Sequence, residues 1–126
     1  MEYNEILKIR DARIKDAKIL YQSSRYDGAV YLCGYAIELG LKAKICQTLN
    51  WNKYPTGKGY STFKTHDVEV LLHLSGIEEK IKSELVADWS IVSEWSPESR
   101  YKAIGSVKEQ DAKEMIESTE ELLNQI

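Results

Sequence analysis

The chain has 126 residues, of which 43% are hydrophobic and 29% charged, and its net charge is −3. That balance fits one globular domain over residues 1–126, long enough for a real core, and argues against a generically basic protein that coats nucleic acid. No apolar run approaches the roughly 20 residues that cross a bilayer, and the charged first 15 residues lack a signal-peptide apolar region, so a cytoplasmic location is expected.

A first helix is predicted from about Tyr3 to Tyr21, where Leu7, Ile14, Ala17 and Tyr21 recur at helical spacing. Ser24 is placed to cap a second helix, with Asp27 near its positive end. This second helix runs from Tyr26 to Leu49 or Asn50. Leu32, Ala36, Leu39, Ala43 and Cys46 form one apolar stripe, and Val30, Cys33, Ile37 and Leu41 form another beside it. A helix apolar on so many sides is expected to be surrounded by other helices. Glu38 and Lys42 stand one turn apart in its middle and can pair. A charged pair in such a place is either a structural lock or part of a site. Cys33 and Cys46 lie on the same helix, roughly 20 Å apart at about 1.5 Å per residue, too far for a disulfide. They are expected to be buried thiols.

Residues 50–65 lack a helical period and contain Pro55, Gly57 and Gly59. A third helix follows, capped by Thr65 or Asp67, with Val68, Leu71, Leu72 and Leu74 facing inward and Gly76 just past its end. Ile77, Ile81, Leu85 and Trp89 repeat every fourth residue and predict one fourth helix. Ser96-Pro97 reads as a cap and first position of a short helix near residues 97–103. Gly105 breaks it. Ser106 to Glu109 reads as a capping box for a last helix, whose stripe is Ala112, Met115, Ile116, Thr119, Leu122, Leu123 and Ile126. The fold class is therefore all-α, an up-and-down four-helix bundle with an additional short helix.

Gly34-Tyr35-Ala36-Ile37-Glu38-Leu39-Gly40-Leu41-Lys42-Ala43 resembles the GYAxExxLKA signature of bacterial HEPN domains, named for higher eukaryotes and prokaryotes nucleotide-binding. Tyr21-Gln22-Ser23, Thr65-His66-Asp67-Val68 and Trp95 to Tyr101 are similar to further segments of that family, in the same order. The resemblance covers most of the chain. It implies a helical bundle, often a homodimer, that works with nucleotides, with single-stranded RNA, or with a partner nucleotidyltransferase in a toxin–antitoxin-type system.

Many members of that family are metal-independent RNases with an arginine four to six residues before a histidine. The imidazole moves a proton and the guanidinium holds phosphate. Here the arginines are Arg10, Arg13, Arg25 and Arg100, the histidines are His66 and His73, and no pair has that spacing. No catalytic residue is assigned, and a non-enzymatic role is favoured over an RNase with a rearranged site using Arg100 and His66. Arg100 and Tyr101 are the leading ligand candidates, one for phosphate and one for stacking. Their structural alternative is an arginine bridging a carboxylate such as Glu38, with Tyr101 packed on the bundle. His66, at a helix start that favours anions, reads either as a phosphate ligand or proton shuttle, or as a cap-region histidine bonded to backbone. His73 lies seven residues on, the wrong spacing for a local metal site. Neither metal nor cofactor is expected. Lys53, Lys58 and Lys64 alternate with Trp51, Tyr54, Tyr60 and Phe63 in a loop free of acids. Such a loop is either a single-strand nucleic-acid surface or an aromatic flap over the core. The expected function is a nucleotide- or RNA-binding regulatory module, with a purely structural protein-interaction domain as the other non-enzymatic reading.

Overall fold

A computed structural model describes the backbone of residues 1–126 and every side chain except that of Arg100. Among the described residues the order is α1 (Tyr3–Gln22), α2 (Tyr26–Leu49), a 3₁₀ turn (Ser61–Phe63), α3 (Val68–Ser75), α4 (Glu78–Glu84), α5 (Val86–Val92), a second 3₁₀ turn (Pro97–Tyr101) and α6 (Glu109–Gln125). The molecule is an all-helical bundle. Among the described residues the extended pairing is a single bridge between Glu2 and Lys53.

The central element is α2, packed against α1, α3 and α6. Its two predicted stripes explain why. Cys33, Ala36, Ile37, Leu41, Ala43 and Cys46 are buried, while Val30, Leu32 and Leu39 lie partly buried against the same core. Ile37, Leu41 and Ile45 on α2 meet Leu71 and Leu72 of α3 and Leu122 of α6 in one cluster. Full burial of each such side chain stabilises by about 1.5–3 kcal/mol. Both cysteines are free and buried. Burial pushes the Cys33 thiol up to about 12, so its reactive thiolate is suppressed at neutral pH.

Three local expectations needed correction. Ser24 does not cap α2. It adopts a left-handed conformation, with φ of 59°, and Arg25 takes the cap position without a side-chain bond. The predicted fourth helix is two helices, because Leu85 leaves helical geometry (φ −129°, ψ 38°) between α4 and α5. The repeat survives the break, since Ile81 and Trp89 are both buried. The last helix starts after Lys108, not Ser106, and Asp111 reaches back to accept the Lys108 N–H at 3.1 Å. The caps of α3 follow expectation. Asp67 accepts from the Glu69 and Val70 N–H groups, and Gly76 closes the helix with φ of 82°.

Candidate functional site

The predicted Glu38–Lys42 pair and His66, singled out apart from it, meet at the middle of α2. Glu38 is one. Its side chain is only 4% exposed. Lys42, one turn later, places Nζ 3.0 Å from Glu38 Oε2. His66, 28 residues away, brings Nδ1 to 2.9 Å from Oε2 and 3.0 Å from Oε1 of the same carboxylate. The expectation that a cap-region His66 bonds backbone is therefore replaced by a carboxylate partner.

The local sequence explains how His66 is held there. Thr65 Oγ1 accepts the Asp67 N–H at 3.0 Å, and the Asp67 carboxylate caps α3. A rigid turn thus fixes the backbone on the C-terminal side of His66. From below, Lys42 lies over the Tyr54 ring at 5.2 Å. Tyr54 donates its hydroxyl to the Phe63 carbonyl at 2.7 Å. Burial first, then the neighbouring Cys46 and Glu38, hold its phenol well above the usual tyrosine range. A carboxylate at Nδ1 orients an imidazole and selects its tautomer, leaving Nε2 for a ligand. The His66 side chain remains 61% exposed.

His66 opens onto a groove of about 650 Å³, also lined by Tyr35, Glu69, Trp95, Pro97 and Glu98. Trp95 meets Tyr35 edge-on, with ring centroids 5.3 Å apart, and Tyr35 meets Tyr31 at 5.1 Å. The indole lies flat against α2 because residue 34 is glycine. A Cβ there would stand 2.1 Å from two Trp95 ring atoms. This aromatic floor escaped the sequence reading. Its signal was Gly34, one of three glycines inside α2.

The remaining candidates lie elsewhere. Tyr101 is 71% exposed at the end of the second 3₁₀ turn. Arg100 precedes it, and its side chain lies outside the described residues. Lys53 pairs with Glu2 at 3.4 Å, at the other end of the loop from His66. Lys58 and Lys64 are exposed. The loop aromatics pack on one another, with Phe63 at 5.5 Å from Trp51 and 6.1 Å from Tyr54, so they form a flap more than a row of open stacking faces. His73 has its own surface partner, Glu78, at 3.2 Å. Hydrogen bonds from His73 and Lys82 hold the Glu78 carboxyl below its ordinary value. Among the described residues no group of three His, Cys, Asp or Glu side chains could hold a metal ion, and no helix is long and apolar enough to cross a membrane.

The family model of the HEPN domain matches residues 3–126. Among curated proteins and among solved structures, none matches the chain.

Proposed function

The chain belongs to the HEPN domain family, and from that premise we propose that it is a nucleotide- or RNA-binding regulatory module whose ligand phosphate sits at His66. The observation that carries this reading is the Glu38–His66 contact at 2.9 Å, made by a buried carboxylate to an exposed ring. An imidazolium so held donates from Nε2 to a phosphate oxygen, while Tyr35 and Trp95 offer aromatic surface beside it. The rim acids Glu69, Glu94 and Glu98 repel a long polyanion. A mononucleotide, or the end of a short single strand, therefore suits the groove better than an extended backbone. Arg100 and Tyr101 follow the rim residue Glu98 by two and three positions in the chain and complete the candidate set.

A second reading, the RNase with a rearranged site, draws on the same contact. When neutral, His66 donates Nδ1–H to Glu38 and keeps a lone pair on Nε2, the state a general base needs. One set of measurements separates the readings. Labelled mononucleotide and short single-stranded RNA are titrated by fluorescence anisotropy. Saturable binding is expected to weaken as salt rises. His66→Ala should weaken it about tenfold, the loss of about 1.4 kcal/mol, and His73→Ala should leave it unchanged. RNA incubated without metal is expected to stay intact. Cleavage lost in His66→Ala would select the enzyme instead. Flat titrations with both ligands would leave a protein-interaction domain.

Partnering belongs to the same proposal. It includes a two-fold homodimer and a nucleotidyltransferase as partner in a toxin–antitoxin-type system, readings that family membership supports. Exposed Ile19, Val70 and Val86 on three different helices supply apolar surface for such contacts. A symmetric dimer uses the same patch on both copies. Light scattering at tens of micromolar is expected to give twice the 14.5 kDa chain mass, and a monomer mass would remove the dimer.

A further inference from the structure

Asp27 is the second residue of α2, and helix starts favour an acid there for the dipole alone. Its carboxylate does something more specific. Oδ2 accepts the Gly105 N–H at 2.6 Å and Oδ1 accepts the Val107 N–H at 3.0 Å. Both amides belong to residues 102–108, the strap that joins the Pro97–Tyr101 turn to α6. The strap is otherwise loosely held. Lys102, Ala103, Ile104, Gly105 and Ser106 are all exposed, Ile104 completely. Beneath it lies a cleft of about 550 Å³ bordered by Val30, Trp95, Ser99, Lys102, Val107 and Met115, so the strap bridges space instead of packing on the core. Gly105 makes the clasp geometrically feasible. Its φ of 82° is costly for residues with a Cβ, and it turns two nearby amides toward one carboxylate.

We propose that Asp27 is a positioning residue that clasps the 102–108 strap and thereby sets where the Arg100–Tyr101 segment stands beside the His66 groove. This rests on the ligand reading given above. Asp27 does not line that groove, and the two amides it holds both belong to the strap. Its effect on a ligand is therefore transmitted through backbone. Two charge-assisted hydrogen bonds are the strong kind, and here they close a segment with few apolar contacts. Such a segment opens locally when its bonds are removed, without unfolding the bundle.

Amide hydrogen exchange reads the clasp directly. In the whole protein, the Gly105 and Val107 amides are expected to exchange at least tenfold more slowly than in Asp27→Ala. Trypsin should cut after Lys102 faster in the variant, while helical circular dichroism stays the same. If Asp27→Ala does not fold, Asp27→Asn serves, because the carboxamide retains one acceptor oxygen and is expected to release one of the two amides. Labelled mononucleotide is titrated in parallel, and its affinity should fall at least threefold in the variant. Unchanged exchange at both amides would overturn the clasp. Faster exchange with unchanged affinity would overturn the positioning role. If the wild-type protein binds no nucleotide, the ligand reading and the positioning role fail together, and the exchange rates still decide whether the clasp exists.

Discussion

Gly34→Ala is expected to destabilise the protein by about 2 kcal/mol, although alanine is the better helix former. The added Cβ would meet Trp95 Cδ2 and Cε2 at 2.1 Å and Nε1 at 2.2 Å. Carbon atoms in contact normally stand about 3.5–4.0 Å apart, so the ring must move by more than an ångström. It has little room. Trp95 is 6% exposed and is held by Tyr35 and Tyr31. Overpacking of a tight core costs about 1–3 kcal/mol, and the upper end applies because the obstacle is a rigid ring. Against this, replacing a helical glycine gains about 1 kcal/mol. Urea melts of Gly34→Ala and Gly59→Ala measure the difference. Gly59 has nothing within 4 Å of its added Cβ and should change stability by less than about 0.5 kcal/mol. A Gly34→Ala protein as stable as the wild type would show that Trp95 does not rest on α2. The same variant should also disturb ligand binding, since Trp95 forms the floor of the His66 groove.

Breaking the charge cluster is expected to cost more. Glu38→Gln keeps the side-chain shape but leaves the Lys42 ammonium, 17% exposed, without a counter-charge and facing the Tyr54 ring. Removing one partner of a buried pair costs about 3–5 kcal/mol. The lower figure, about 3 kcal/mol, applies here because His66 keeps one side of the cluster open to water. Lys42→Met should cost less than Glu38→Gln, since Glu38 retains His66 as a partner. The double variant Glu38→Gln/Lys42→Met removes both charges and should be more stable than the sum of the single losses implies. A coupling of about 1 kcal/mol or more is expected for residues in one network. Single losses of a few tenths of a kcal/mol, with no coupling, would mean that solvent already screens the pair and that it orients nothing.

The helices, the apolar stripes of α2 and α6, the caps at Asp67 and Gly76 and the pairing of Glu38 with Lys42 were all legible in the sequence. Each depends on residues within a turn or two, where spacing and side-chain chemistry act directly. Even so, local rules failed where tertiary contacts compete with them. Ser24 is a good cap by composition, but the tight turn of residues 23–25 puts it in a left-handed conformation. Leu85 belongs to a sound four-residue repeat, but the chain leaves helical geometry there, while Trp89 is buried in the core and Asp88 accepts from Ser118 of α6 at 2.9 Å. The candidate site was legible only as parts. Glu38, Lys42 and His66 were each conspicuous, but nothing local joins a helix centre to a cap 28 residues later. Nor does spacing reveal that Asp27 holds amides 78 and 80 residues away, or that Gly34 is small because Trp95 lies on it. By itself the sequence determined the helices, most of the faces they bury and the family, because these depend on short-range periodicity and composition. The tertiary structure decided which carboxylate holds which partner and where the groove opens, because these depend on how side chains far apart in the chain are brought within hydrogen-bonding distance by the packing of the helices.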